Sequence, residues 1–219
     1  MPLMPFAKTE KTFTPKRGRP DAKQVAAIEQ AILATARRMF LESGYDAVAM
    51  ENIATATGVS KGTLYARYPS KEALFTTVIR ERVKKWSEEA SQQDHLLTDD
   101  IGERLRHHGL TMGRSMLRPE VHAFQWLTLA NQDRFQSLAK AMYDAGYLYI
   151  VNLISREISE AAARDGIPAR NPDAVARMFV SAITGRQVQE RSAGPIKEAD
   201  MINSVDQTVD LFMAARSSW

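Results

Sequence analysis

Four histidines, His95, His107, His108 and His122, are the side chains best suited to metal or acid–base chemistry. Their spacing argues against it. Adjacent helical residues project about 100° apart, so His107 and His108 cannot close on one ion in the i, i+4 manner of a helical metal pair. Cysteine is absent, which removes disulfides, zinc–thiolate sites and a cysteine nucleophile. No HExxH, GxSxG, GxGxxG or phosphate-loop string occurs. An enzyme, a metal site and a cofactor are therefore not expected, and the histidines read as solvated or core residues.

A second constellation suits a polyanion. Between Asn52 and Lys71 stand Lys61, Arg67 and Lys71 with no acidic residue among them. Residues 1–20 add Lys8, Lys11, Lys16, Arg17 and Arg19 against Glu10 alone, although the whole chain carries only +3. Basic charge gathered on a tail and one motif is the electrostatic footprint of nucleic-acid binding. The motif runs from Ala49 to Tyr68. Ile53 and Ala54 close a short apolar segment, Gly58 can take positive φ just past its end, and Val59 follows as a buried hinge. Ser60 stands at an N-cap position. Leu64 and Tyr68, four apart, share a face. Two short helices joined by a glycine turn form a unit that lays its second helix in a DNA major groove.

The string Gly44-Tyr45, Ile53-Ala54, Gly58-Val59-Ser60-Lys61-Gly62-Thr63-Leu64-Tyr65 and Tyr68-Pro69-Ser70-Lys71-Glu72-Ala73-Leu74 resembles the DNA-binding domain of the TetR family of transcriptional regulators. The resemblance implies DNA contacts from Ser60, Lys61, Gly62, Thr63, Tyr65, Arg67, Tyr68 and Lys71. Gly62 would let the backbone approach DNA, Thr63 would meet a base edge or thymine methyl, and Tyr65 and Tyr68 would donate to phosphates. Lys71 would add charge against phosphate at the next helix start, and Leu64 belongs to the core. Two positions depart from the family pattern. Val48-Ala49 replaces a capping Ser or Thr, a loss of about 1 kcal/mol. Arg67 replaces a common His and keeps its charge at any pH.

The basic arm has its own likeness. Arg17-Gly18-Arg19-Pro20 resembles the AT-hook, a peptide element of the A·T minor groove, where the flanking guanidinium groups follow the narrow walls. A solvated basic tail is the other reading of Arg17 and Arg19.

Around these residues the pattern is all-α, and the resemblance implies a three-helix N-terminal helix-turn-helix domain followed by a larger helical ligand-binding and dimerisation domain. We expect an arm over 1–20, a DNA-binding domain over 21–70, a connecting helix over 71–92 and the larger domain over 93–219. Apolar spacing from Ile28 to Phe40 gives a helix ended by Ser43-Gly44, and Ser70 caps the connecting helix. Further helices are expected over 98–117, 119–131, 133–165 with a break near Gly146, 171–192 and 198–216. The larger domain's helix count resembles the family's, and Tyr65-Ala66-Arg67-Tyr68 resembles its AefR-like branch.

The 219 residues, 44% hydrophobic and 25% charged, suffice for a real core. Without a long apolar run or a leader's apolar region, a cytoplasmic protein that does not enter membranes is expected. Met112, Met116, Phe124, Trp126, Met142, Tyr143, Tyr147 and Tyr149 either fill a helical core or line a cavity for a small molecule. The resemblance implies an inducer pocket, for which Met112, Met116, Trp126 and Tyr147 are the candidates. It also implies a homodimer through the last two helices, with Met178, Ala182, Gly185, Val205, Val209 and Phe212 at the interface. The function expected is a repressor released from a palindromic operator in double-stranded DNA by a small apolar or amphipathic inducer. The alternative is a regulator with no ligand, its larger domain serving dimerisation alone.

Overall fold

The computed structural model describes residues 22–91, 98–130, 133 and 136–219. Every regular element among them is a helix: α1 Ala22–Ala47, α2 Met50–Thr57, α3 Lys61–Arg67, α4 Lys71–Ser91, α5 Ile101–Leu117, α6 Pro119–Leu129, α7 Gln136–Met142, α8 Tyr149–Asp165, α9 Pro172–Ala193 and α10 Glu198–Ala214. A π turn, Tyr143–Leu148, joins α7 to α8, and a 3-10 turn, Arg216–Ser218, follows α10. Gly146, expected to break a helix, instead lies in that π turn, where the chain widens without ending. None of these helices is long and apolar enough to cross a membrane.

The chain divides into two compact units. One runs to Arg82 and includes Trp126–Leu138; the other comprises Val83–Gln125 and Ala139–Trp219. The division falls inside α4, leaving buried Leu74, Phe75, Val78 and Ile79 with the first unit and buried Val83 with the second. In the first unit, Ile28, Ile32, Ala36 and Phe40 of α1 meet Ile53 of α2, Leu64 of α3 and Leu74, Phe75, Val78 and Ile79 of α4, all buried. Phe40, Tyr45 and Phe75 form an aromatic trio with centroids 4.9 to 5.8 Å apart. Gly44, at φ 77° and ψ 167°, breaks the helical path of α1 and turns Tyr45 into this cluster.

In the second unit, Ile101 and Leu105 of α5 pack with Ile154 and Ile158 of α8, Phe179 and Ile183 of α9, and Met201, Val205 and Val209 of α10. The approach of α5 to α10 depends on glycine. A Cβ on Gly109 would stand 2.7 Å from Val205 Cγ1, and one on Gly113 would stand 2.4 Å from Met201 Sδ. Asp100 caps α5 by accepting from Glu103 N, and Asn171 caps α9 by accepting from Ala174 N.

Candidate nucleic-acid interface and internal cavity

The turn between α2 and α3 has the expected chemistry. Gly58 adopts φ 78°, ψ 20°, and its N–H donates to the carbonyls of Ala54 and Thr55. Ser60 Oγ accepts from Thr63 N at 3.1 Å and lies 2.8 Å from Thr63 Oγ1, which closes the cap. Val59 is half-buried rather than buried. Ala49 caps α2 with no side-chain hydrogen bond, as its lack of a hydroxyl requires.

On α3, Lys61, Gly62, Tyr65 and Ala66 are exposed, Thr63 and Arg67 are half-buried, and Leu64 is buried. A Cβ on Gly62 would meet only Ser60 Oγ, at 3.9 Å, so nothing within the chain demands a glycine there. Glu51 of α2, which sequence spacing did not single out, organises this surface. Its Oε1 accepts from Tyr65 OH at 3.2 Å and pairs with Lys61 Nζ at 3.9 Å. Its own backbone hydrogen bond, then Tyr65 and Lys61, hold the Glu51 carboxyl below its usual range despite an opposing desolvation. Desolvation first, and Glu51 next, push the Tyr65 phenol up.

Two expected DNA contacts are corrected by burial and pairing. Tyr68 is only 5% exposed, so its ring is core and its hydroxyl is not presented to a phosphate. Burial, then the Glu29 charge, push its phenol up to about 12. Lys71 Nζ donates to the carbonyls of Tyr45 at 2.9 Å, Asp46 at 3.3 Å and Val48 at 2.9 Å, and sits 4.4 Å from the Tyr45 ring centroid. An ammonium has three protons, and here each has an acceptor among the carbonyls that α1 leaves at its end. Lys71 therefore ties the α1–α2 turn to α4. Arg17 and Arg19 lie outside the described residues.

The second unit holds a partly open cavity of about 340 Å³. Its wall takes Val83 and Trp86 from α4, His108, Met112 and Met116 from α5, Val121 and Gln125 from α6, Tyr147 from the π turn, Ile150 and Leu153 from α8, and Val180 and Thr184 from α9. Met112, Met116 and Tyr147 thus stand where expected. Trp126 does not. It is 63% exposed and absent from the wall, because one residue beyond Gln125 is a turn of about 100° away from the cavity. The tryptophan of the wall is Trp86, which packs edge-on against Phe124 at 6.2 Å.

His108 of the wall belongs to a polar trio with buried Glu157 and half-buried Arg104. Arg104 NH1 donates to Glu157 Oε1 at 2.9 Å, and His108 Nε2 stands 3.0 Å from Glu157 Oε2. Burial alone would raise the Glu157 carboxyl, but hydrogen bonds and charge from His108 and Arg104 hold it below its usual range. His108 and Glu157 are 49 positions apart, so only folding reveals the pair.

The expected interface divides in two. Met178, Ala182 and Gly185 lie exposed along one face of α9, and a Cβ on Gly185 would meet nothing within 4 Å. Val205 and Val209 are instead buried in the unit's own core, and half-buried Phe212 packs edge-on against Phe179 at 5.3 Å. The apolar stripe of α10 is consumed within the chain, while its outward side shows Gln207 and Leu211, the latter 71% exposed.

Residues 32–78 match the model for bacterial regulatory proteins of the tetR family, and residues 103–216 match the C-terminal domain of AefR-like transcriptional repressors. The HTH-type transcriptional regulator RutR of Escherichia coli K12 is 40% identical over 65 residues, 30% of this chain and 31% of RutR. The HTH-type transcriptional repressor AcnR of Corynebacterium efficiens is 36% identical over 63 residues, 29% of this chain and 34% of AcnR. These alignments span about a third of each curated relative. The Flavonoid-responsive Regulator FrrA superposes with a TM-score of 0.72 at 25% identity, over 87% of this chain and 97% of its own. A TetR-like transcriptional regulator from Rhodococcus sp. RHA1 shares the fold, with a TM-score of 0.62 at 19% identity over 86% of this chain and 97% of its own.

Proposed function

This chain belongs to the TetR family of transcriptional regulators, of the AefR-like type, and from that premise we propose that it is a homodimeric repressor released from its operator by a small molecule. It is a regulator and not an enzyme. The observation that carries the ligand-responsive reading is the cavity of the second unit, with Val83 and Trp86 of α4 in its wall. The same helix buries Leu74, Phe75, Val78 and Ile79 in the first unit's core. A ligand against Val83 and Trp86 therefore acts on a helix that also helps hold the helix-turn-helix. It shifts the equilibrium only if it binds the DNA-free conformation more tightly.

On the DNA side, Lys61, Gly62, Thr63 and Tyr65 supply the reading face, with Ser60 and Arg67 at its margins. Thr63 meets a base edge and Tyr65 exchanges Glu51 for a phosphate. Exposure of Ser60, Lys61, Gly62 and Tyr65 beside buried Leu64 and Tyr68 supports the assignment. Two copies joined through the outward faces of α9 and α10 would present two such helices to a palindromic operator, with half-sites about 34–36 Å apart. Arg17 and Arg19 would follow the flanking minor groove.

Filling the cavity by Met112→Trp tests the ligand reading. Operator affinity should persist, and a small aromatic molecule that releases the wild type should no longer act. Release of the variant by the same molecule would show that the cavity is not the effector site. FrrA, responsive to flavonoids by its name, makes a flat aromatic effector a reasonable first screen.

A further inference from the structure

The chemistry of the cavity wall limits what can enter it. Among the described residues that line it, none is Lys, Arg, Asp or Glu. The thioethers of Met112, Met116 and Met142 and the rings of Trp86 and Tyr147 offer polarizable surface, which favours an aromatic body over a saturated one. The volume of about 340 Å³ is roughly twice the ~150 Å³ that accommodates a single benzene ring.

His108 supplies the directed polar group. It is 3% exposed and lines the cavity, and its Nε2 is already engaged by Glu157 at 3.0 Å. An ionised carboxylate can only accept, so Nε2 carries the proton of that bond. In the neutral ring Nδ1 then keeps its lone pair and is the nitrogen left for a ligand. Arg104, 2.9 Å from the other carboxylate oxygen, offsets the Glu157 charge and leaves the pair neutral behind the wall. A carboxylate in the cavity would give up its water with no lysine or arginine among the described lining residues to receive it.

We propose, building on the effector reading of this cavity, that its ligand is a neutral aromatic hydroxyl compound of one or two rings whose O–H donates to His108 Nδ1. Glu157 and Arg104 are positioning residues: they fix the tautomer that makes Nδ1 an acceptor. The hydroxyl is distinguished from a bare hydrocarbon by this bond and from an anion by the lack of a basic group among the described lining residues.

Calorimetric titration of the full chain with β-naphthol, naphthalene and β-naphthoate tests the proposal, because the three share one skeleton. β-Naphthol should bind about tenfold more tightly than naphthalene, the worth of one buried hydrogen bond, and β-naphthoate more weakly than either. His108→Phe should abolish the advantage of β-naphthol while naphthalene still binds. Glu157→Gln should shrink the same advantage, since an amide can donate to Nε2 and reverse the tautomer. β-Naphthoate binding tightest, equal affinity for β-naphthol and naphthalene, or no binding by any of the three to the wild type would each overturn the proposal. Operator release followed in parallel separates it from the effector reading. Binding in the expected order without release would uphold the ligand chemistry and sink the effector role, whereas release driven best by β-naphthoate would do the opposite.

Discussion

At the scale of single residues, the proposed reading face holds an acid beside its bases. Glu51 holds Lys61 and Tyr65 while carrying a negative charge that phosphate must displace. Glu51→Gln should raise affinity for random DNA by about threefold, as expected for a charge at the rim of an interface. It should also narrow the gap between operator and random DNA, because Tyr65 loses its fixed position. Competition binding at matched salt checks both; an unchanged ratio would remove Glu51 from recognition. Thr63→Ala should cost about 1–3 kcal/mol on the operator and relax one base position.

Glu157 gives a pH-dependent counterpart. Its folded carboxyl titrates below the unfolded value, so the unfolded chain binds the proton more readily. The resulting stability is present above about pH 4.3 and is lost as the pH falls through the lower folded value. Glu157→Gln should cost about 3 kcal/mol in urea unfolding at neutral pH, because Arg104 and His108 lose their buried anionic partner and Arg104 is left with the Thr98 carbonyl at 2.7 Å and exposed Asp99 at 3.6 Å. The variant's stability should also fall less than the wild type's on acidification. Parallel loss in both proteins would place the acid sensitivity elsewhere.

At the scale of elements, the pairing of α5 with α10 offers a test. Gly109→Ala brings a Cβ to 2.7 Å from a stiff valine methyl, and Gly113→Ala meets the thioether of buried Met201 together with Met201 Cγ and Gln187 Nε2, each at 3.0 Å. Overpacking costs about 1–3 kcal/mol, against a gain of about 1 kcal/mol for replacing glycine in a helix. Thermal unfolding should therefore show a net loss for both variants; no loss from either would mean that α10 yields as a rigid body.

Much of the helical layout was legible, because caps and glycine turns are local. Gly58, Ser60 and Ser70 each announced a boundary through their own conformational or hydrogen-bonding preferences. The direction in which an apolar stripe faces is not local. Val205 and Val209 have the spacing of an interface and of a core alike, and only the close approach of α5 at Gly109 decides between them. Tyr68 and Lys71 misled for a related reason. Each has the chemistry to touch phosphate, but one ring is sealed in the core and the other side chain is claimed by three carbonyls. The His108–Glu157 pair joins two helices and left no spacing signal.

At the scale of the whole molecule, assembly through the outward faces of α9 and α10 separates two variants of one helix. Leu211→Glu, at an exposed position, should give a folded monomer by sedimentation, since burying an unpaired carboxylate costs several kcal/mol. Val209→Glu should instead unfold the second unit, because Val209 is core. A tight dimer from Leu211→Glu would move the interface elsewhere.

The central claim, that two copies read DNA through paired α3 helices, is tested most directly by selecting bound sequences from a random DNA pool with the purified full chain. The account predicts an enriched two-fold-symmetric site with half-site centres about 10–10.5 base pairs, or a multiple of that, apart, and loss of enrichment at one position of each half-site with Thr63→Ala. Enrichment of a single unpaired half-site, or a pool that stays random while the protein binds, would contradict it.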